Sequence, residues 1–164
     1  MFRSMNHAYL LIGGNIGDRI ENLRKTRAII AAVCGPILLE SSIFETSPWG
    51  KTDQADFLNQ ALWVETALAP TLLLEKILGI EQELGRFRVE KFGPRIIDID
   101  IIFYNDEVLV LPSLTIPHPH MQNRRFVMAP MAEIAPGLVH PLLRKNMTEL
   151  LEECPDTLAV DKKT

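Results

Sequence analysis

The chain of 164 residues lacks several features that would place it in a specialised class of protein. Its two cysteines, Cys34 and Cys154, are too few for a disulfide framework and suit a reducing compartment. No apolar run approaches the roughly 18–20 residues of a transmembrane helix, and the apolar stretch 8–12 is too short for a secretory signal. The chain has no excess of positive charge, because it contains 17 Lys and Arg residues and 21 Asp and Glu residues. A net charge of −4 argues against general adhesion to nucleic acid or anionic membrane. Because neither a membrane span nor a secretory signal is predicted, we expect a cytoplasmic protein.

Length and composition are those of one ordinary globular domain. Hydrophobic residues make up 47% of the chain and charged residues 23%, close to the average for globular proteins. At about 150 residues per domain, the length predicts a single domain. No internal repeat and no linker rich in Ser, Gly or Pro divides the sequence. We therefore expect one domain over residues 1–164, with a core at about 9–151 and tails at 1–7 and 155–164.

The order of the predicted elements indicates an α+β fold. Strands are predicted at Tyr9–Ile12, Ile37–Thr46, Phe57–Thr66, Ile96–Tyr104 and Glu107–Leu111. Helices are predicted to begin at Asp18, Pro70 and Asn146, because each position has the chemistry of a helix start. The first helix should bury Ile20, Leu23, Ile30 and Cys34. The second should bury Leu73, Ile77, Ile80 and Leu84. The order β-α-β-β-α-β is the ferredoxin-like arrangement, with helices packed on one face of a mainly antiparallel sheet.

Two aspartates lie in the clearest predicted strand. Residues two apart in a strand point to the same face, so Asp98 and Asp100 project together. The opposite, buried face then consists of Ile97, Ile99, Ile101 and Phe103. With oxygens about 5 Å apart, the carboxylates repel each other by on the order of 3 kcal/mol at an effective dielectric of 20. A divalent cation such as Mg²⁺ would turn this repulsion into attraction, although two acids on a solvated strand face are the alternative.

A basic segment precedes the aspartate strand. Four cationic side chains face one acid, Glu90: Arg86, Arg88, Lys91 and Arg95. Exposed ion pairs contribute only about 0–1 kcal/mol, so stability alone explains this cluster poorly. Guanidinium groups beside a magnesium site are what a polyphosphate requires. The combination points to a nucleoside triphosphate.

Three further patterns leave alternatives open. His118 and His120 could ligate zinc, but no further ligand spacing appears, and phosphate contacts from His118 and Arg124 are favoured. The Gly13-Gly14-Asn15 turn lacks the full G-x-G-x-x-G spacing, so a tight turn that needs positive φ explains it equally well. The segment Phe57-Leu58-Asn59 offers a ring and an amide to a ligand, although core packing also accounts for Phe57.

Taken together, these motifs resemble a known enzyme family. The string FGPRIIDID at 92–100 is followed by Pro117-His118 and by Asn123-Arg124-Arg125-Phe126. Glu45-Thr46-Ser47-Pro48 and Asp56-Phe57-Leu58-Asn59 accompany it. This set is similar to the 6-hydroxymethyl-7,8-dihydropterin pyrophosphokinases over about residues 9–151. The resemblance implies transfer of the pyrophosphoryl group of ATP to the hydroxymethyl group of the pterin, with release of AMP, in folate biosynthesis.

The resemblance also implies roles for individual residues. Asp98 and Asp100 would hold two Mg²⁺ ions and, with Arg86 and Arg95, form the catalytic set. ATP would be bound by Glu81, Arg88, Lys91, His118 and Arg124. The pterin would be bound by Asn15, Thr46, Ser47, Pro48, Trp49, Phe57, Asn59 and Phe126, with its ring between the two phenylalanines. The chain departs from the usual family pattern at Trp49, Phe57 and Phe92.

The expected partners are small molecules, without nucleic acid or membrane, and the expected state is a monomer. A catalytically silent ATP-binding module is an alternative function, although binding alone would not require so complete a set of residues. A ferredoxin-like RNA-binding protein is a second alternative, which the net charge disfavours.

Overall fold

The computed structural model describes residues 5–50, 52–85 and 92–163. Its strands are β1 (Asn6–Gly14), β2 (Ile37–Glu40), β3 (Phe44–Thr46), β4 (Phe57–Thr66), β5 (Asp98–Tyr104), β6 (Leu109–Leu111), β7 (Leu114–Ile116) and β8 (Val160–Lys162). Its helices are α1 (Arg19–Val33), α2 (Pro70–Glu83), α3 (Arg125–Ile134) and α4 (Met147–Glu153), with a 3₁₀ turn at Met121–Asn123. Three predicted site residues, Arg86, Arg88 and Lys91, lie outside the described residues.

Six of the described strands form one antiparallel sheet. Its order is β5-β1-β4-β3-β8, and β2 also pairs with β4. With α1 and α2 as crossovers, this is the predicted ferredoxin-like topology. The strand predicted at Ile37–Thr46 is divided into β2 and β3, because the Ser41 side chain interrupts the ladder. The Oγ of Ser41 accepts the N–H of Ala61 at 2.9 Å, in place of a backbone carbonyl.

Helices cover both faces of the sheet. On one face, α1 and α2 contribute Leu23, Ile30, Leu73 and Ile77 to a core with the sheet. The other face packs against α3 and α4. The prediction of helices on one face only is therefore wrong. It missed α3 because Pro130 lies inside that helix, and proline ordinarily ends a helical pattern.

Helix α1 begins at the predicted cap, where the Asp18 side chain accepts the N–H of Glu21 at 3.1 Å. The buried face of α1 differs from the prediction, because Ile20 is 45% exposed and Thr26 is buried. Thr26 tolerates burial because its hydroxyl donates to the Asn22 carbonyl at 2.7 Å. No helix in the described ranges is long and apolar enough to cross a bilayer.

A bulge in β5 changes which side chains face each core. Phe103 lies opposite Tyr9 and Ile101 opposite Leu10, so Ile102 is an extra residue between them. Ile101 packs in the α1–α2 core, whereas Ile102 and Phe103 pack in the α3–α4 core. The prediction that Phe103 shares the face of Ile101 is wrong, because one extra residue shifts the alternation. The two aspartates precede the bulge, so they stay together on the α3 side.

The C-terminal segment, expected to be a tail, extends the sheet. Strand β8 pairs with β3, so that Val160 lies opposite Thr46 and Lys162 opposite Phe44. Helix α4 precedes it and begins at the predicted cap, Asn146, whose side chain accepts the Glu149 N–H at 2.9 Å.

Candidate active site

A cavity of about 250 Å³ opens on the α3 side of the sheet, where β1, β3, β4 and β5 approach the loops. Its lining includes much of the predicted site: Thr46, Ser47, Trp49, Phe57, Asn59, Arg95, Asp98, Asp100, His118, Arg124 and Phe126. The sequence segments that contribute these side chains are separated by up to 80 residues. The fold therefore collects in one place the residues that motif spacing alone associated.

Three other predicted residues lie near this cavity but do not line it. Pro48 is buried beside it. Asn15 donates from its amide to the Gln54 side chain at 2.8 Å and accepts the Arg95 N–H at 3.0 Å. These bonds connect the end of β1 to the two loops that border the cavity. Asn15 thus positions the walls and does not form one.

The third residue, Glu81, reaches the aspartate strand from α2. Strand β5 is an edge strand, and its Ile99 N–H is donated to the Glu81 carboxylate at 2.8 Å. Glu81 is only 3% exposed. A third carboxylate is therefore buried close to Asp98 and Asp100.

The crowding of acids has a large effect on Asp100. Burial, followed by the negative charges of Asp98 and Glu81, raises the pKa of Asp100 to about 7. Arg124 and Arg95 act in the opposite direction, and the Arg95 Nε lies 3.7 Å from the Asp98 carboxylate. The arginines compensate the negative charge incompletely. The position therefore favours binding of an additional cation.

The donor set suits a cation that arrives with part of its own coordination shell. Within the described ranges, no three His, Cys, Asp or Glu side chains are grouped as a metal site. Asp98 and Asp100 lie on one face of a strand and line the same cavity. Mg²⁺ characteristically uses one or two carboxylates and completes its shell with water and substrate phosphates. The residues fit magnesium bound in that way.

The other half of the cavity is aromatic. The Trp49 and Phe92 rings meet edge to face, with centroids 5.1 Å apart. The Arg124 guanidinium lies 4.6 Å from the Trp49 centroid and 6.0 Å from that of Phe126, and Arg95 lies 4.9 Å from the Phe57 centroid. Two planar cations thus rest on the faces of aromatic rings. The same faces would accept a planar heterocycle.

Arg124 is poorly satisfied in this arrangement. Its buried Nε has no hydrogen-bond partner among the described residues. Burial also lowers the pKa of Arg124, which Asp100 and Asp98 oppose. A buried donor without a partner is costly, so an anionic ligand oxygen would be a favourable partner for this guanidinium.

A buried polar pair lies between β3 and β4. The Asn59 amide donates to the Thr46 hydroxyl at 2.8 Å, and both residues are buried. Gly13 of β1 lies directly beside them, because a Cβ at position 13 would be 2.1 Å from the Asn59 Oδ1. Close approach thus explains this glycine, whereas positive φ in the 13–17 segment is confined to Gly17.

His118 lines the cavity together with the two aspartates and Arg124. Its Nδ1 accepts the His120 N–H at 3.2 Å, so in the neutral ring the proton is on Nε2. Burial, Arg124 and His120 together lower the pKa of His118 to about 4, against the effect of Asp98. His118 is therefore a neutral hydrogen-bond donor at physiological pH.

A second cleft, of about 640 Å³, adjoins the first cavity. It shares Asp98, Asp100 and His118 with the cavity and adds Leu74, Leu78 and Glu81 of α2 together with residues 112–115. Sequence reasoning placed Glu81 near a nucleotide but did not find this cleft. Leu78, which is 45% exposed, gives only a weak indication of the cleft, because single exposed apolar residues are common on helices.

Comparison with known proteins identifies the family. Residues 9–136 match the family model of 7,8-dihydro-6-hydroxymethylpterin-pyrophosphokinase (HPPK). The chain belongs to this family. It is 48% identical over 132 residues to the Bacillus subtilis 2-amino-4-hydroxy-6-hydroxymethyldihydropteridine pyrophosphokinase, with 79% of this chain and 78% of the relative covered. The Synechocystis protein of the same name is 43% identical over 142 residues, which cover 87% of this chain and 73% of the relative.

Solved structures share the fold of this chain. The Plasmodium falciparum HPPK-DHPS, wild type with pteroate, matches it with a TM-score of 0.76 at 18% sequence identity. The match covers 93% of this chain and 43% of that longer chain. At this level of identity, the match concerns the fold alone.

Sequence reasoning gave no site role to several residues that line the cavity, namely Leu11, Gly13, Phe92, Gly93 and Pro94. Phe92 has a φ of +59°, and its carbonyl accepts the Gln54 amide at 2.7 Å. The Gly-Pro dipeptide at 93–94 was a signal for a loop, but its position against the cavity depends on contacts distant in sequence.

Proposed function

We propose that this protein transfers the pyrophosphoryl group of ATP to the hydroxymethyl group of 6-hydroxymethyl-7,8-dihydropterin, giving AMP and the pterin diphosphate in folate biosynthesis. Membership of the family supports this activity. The observation that carries the assignment of the site is the location of Asp98 and Asp100, which line both the aromatic cavity and the second cleft. One reactant in each space would meet at the two carboxylates.

The pterin occupies the aromatic cavity in this proposal. Phe57 and Phe126 stack on its two faces, at about 0.5–1.5 kcal/mol per ring beyond burial. Asn59 and Thr46 hydrogen-bond its polar edge, since both already lie buried in the cavity wall. A heterocycle without a matching edge would leave the buried amide unpaired, which provides specificity. Pro48 and Asn15 support the pocket from outside its lining.

ATP occupies the second cleft in the same proposal. Leu74 and Leu78 offer apolar surface to the base, and the phosphates extend toward Asp98 and Asp100. When ATP binds, Arg95 and Arg124 leave the aromatic faces, and their guanidinium groups donate to phosphate oxygens. The ring faces that they leave are then open to the pterin. His118 adds a neutral donor. Arg86, Arg88 and Lys91 remain predicted phosphate ligands.

Asp98 and Asp100 are the residues that would hold magnesium, with two ions expected from the family resemblance. When bound there, magnesium would neutralise phosphate charge and make the attacking hydroxyl more acidic. The protein itself contributes alignment of the two substrates and guanidinium donors, which is the main requirement of phosphoryl-type transfer. Loops that close over the reactants would exclude water and limit hydrolysis of ATP. A monomeric, cytoplasmic enzyme stays a prediction.

The decisive assay measures AMP. The protein is incubated with ATP, Mg²⁺ and 6-hydroxymethyl-7,8-dihydropterin, and nucleotides are separated by chromatography. We expect AMP and the pterin diphosphate to accumulate in equal amounts, and Asp98→Asn to abolish both. Asp106→Asn, in an exposed turn, is the matched control and should retain activity. Formation of ADP, or absence of AMP, would contradict the proposal.

A further inference from the structure

The C-terminal segment contacts two of the segments that line the aromatic cavity, through one side chain and one strand. Both carboxylate oxygens of Asp156 accept backbone bonds. One accepts the Arg125 N–H at 3.0 Å, and the other accepts the Leu158 N–H at 2.9 Å. The Asp156 carbonyl also accepts the Arg125 Nε at 3.1 Å.

The first of these bonds holds the start of α3. Arg125 is the first residue of that helix, and the N-cap residue Arg124 provides no side-chain hydrogen bond. The Asp156 carboxylate therefore takes the place of a cap, and negative charge at a helix N-terminus is favourable. The flanking residues Arg124 and Phe126 line the cavity. Asp156 thus acts directly on the segment that forms this wall.

The second bond directs the chain into β8, which holds the wall that β3 forms. After the turn at 156–158, the Ala159 carbonyl accepts the Ser47 N–H at 3.0 Å. Val160 then pairs with Thr46, and the Lys163 N–H is donated to the Ile43 carbonyl at 2.8 Å. Thr46 and Ser47 line the cavity.

We propose that Asp156 is a positioning residue for the pterin pocket, because it couples the α3 wall to the β3 wall through the C-terminal strand. This inference rests on the proposed function, since it assigns the pterin to the cavity between those walls. The second cleft is lined by α2, β5, residues 112–115, His118 and Pro119, and none of these takes part in the contacts of Asp156 described above. Of the residues proposed to bind ATP, only Arg124 adjoins the helix start that Asp156 holds. Loss of the Asp156 bonds should therefore weaken pterin binding much more than ATP binding.

The chain offers a graded series of variants and a matched control. Asp156→Ala removes both acceptors. Asp156→Asn keeps one oxygen acceptor but places an NH₂ donor against the other N–H. Asp161→Asn removes the same charge from an exposed residue of β8 and leaves the backbone pairing intact.

The test separates the two Michaelis constants in full-length protein. We expect Asp156→Ala to raise the KM for the pterin about tenfold, as loss of a helix cap acting on binding would do, and to leave the KM for ATP within about twofold. Asp156→Asn should have an intermediate effect, and Asp161→Asn none. Calorimetric titration with the pterin, in the presence of Mg²⁺ and a non-hydrolysable ATP analogue, should give the same order of affinities without turnover.

The inference is overturned if the two KM values rise in parallel, or if the pterin KM and affinity of Asp156→Asn equal those of Asp161→Asn. If Asp156→Ala does not fold, Asp156→Asn alone carries the comparison. Failure of the proposed function is distinguishable, because the wild-type protein would then form no AMP. The order of pterin affinities among the variants, measured by calorimetry, would still support or refute the role of Asp156 in pterin binding.

Discussion

Replacement of Asp100 by asparagine should stabilise the metal-free protein at alkaline pH while abolishing its activity. In the folded chain, burial and the charges of Asp98 and Glu81 raise the pKa of Asp100 from its ordinary value of 3.8 to about 7. An ionised Asp100 is therefore unfavourable in the fold, and asparagine preserves its shape without the charge. Metal sites commonly carry such a cost because their ligands are arranged for a bound cation.

The magnitude follows from the shift in pKa. The rise in the pKa of Asp100 from 3.8 to about 7, at about 1.36 kcal/mol per pH unit, sets an upper limit of about 4 kcal/mol on the change in the free energy of unfolding. Asp100 borders two open spaces that admit water, so we expect about 2 kcal/mol, or about 4–8 °C in Tm. Because the folded state holds the proton more tightly, this contribution of Asp100 to stability is present below about pH 4 and is lost as pH rises toward 7. The advantage of the variant should therefore grow over that interval and level off above it.

Urea unfolding followed by circular dichroism in EDTA, near pH 5 and near pH 8, measures this difference. The matched control is Asp106→Asn, which removes a charge from an exposed turn and should unfold like the wild type at both values. Addition of Mg²⁺ with a non-hydrolysable ATP analogue should stabilise the wild type but not Asp100→Asn. If Asp100→Asn is no more stable than the wild type near pH 8, an ionised Asp100 is not unfavourable in the fold.

Three further predictions concern single residues of the cavity. Asn59→Ala removes the amide beside Thr46 and should raise the KM for the pterin about tenfold to a hundredfold, with little change for ATP; equal changes in steady-state kinetics for both substrates would contradict this. Gly13→Ala places a Cβ 2.1 Å from the Asn59 Oδ1. We therefore expect urea unfolding to show a free energy of unfolding about 1–3 kcal/mol lower than that of the wild type, together with weaker pterin binding. A variant as stable as the wild type would show that the close approach is not required. His118 should stay neutral down to about pH 4 in an NMR titration of the metal-free protein. Its contribution to stability should be present above pH 6.5 and lost as pH falls through about 4. A titration midpoint near 6.5 would show that the ring is not buried as described.

Local chemistry predicted much of the fold. The strand Phe57–Thr66 and the helix starts at Asp18, Pro70 and Asn146 occur where the sequence indicated them. Each has a local signal, namely enrichment in β-branched and aromatic residues, a capping side chain, or a proline in the first turn. These signals depend on neighbours within a few residues and therefore do not require tertiary information.

The missed features depend on contacts distant in sequence. Helix α3 was not predicted because Pro130 lies inside it. The extra residue Ile102 reverses the faces of the sheet to which the following side chains point. The bond from the Ala61 N–H to the Ser41 hydroxyl divides the predicted strand into β2 and β3. Strand β8 has no strong local pattern and forms by pairing with β3. Bulges and edge pairings of this kind are decided by the partner strand.

The candidate site shows the same division. The motif around Asp98 and Asp100 pointed directly to the pair of carboxylates, because alternation in a strand is a local property. The second cleft could not be found in this way, since its walls combine Leu74 and Leu78 with residues 112–115. The position of Arg124 over Trp49 likewise follows from the meeting of two loops with the start of α3.

The most direct measurement is a crystal structure of the protein with Mn²⁺ in place of Mg²⁺, a non-hydrolysable ATP analogue and the pterin, with the anomalous signal of manganese recorded. We expect anomalous peaks within coordination distance of both Asp98 and Asp100, phosphates extending from the second cleft, and the pterin ring between Phe57 and Phe126. Manganese bound away from the two aspartates, or a nucleotide base in the aromatic cavity, would be incompatible with the proposed site.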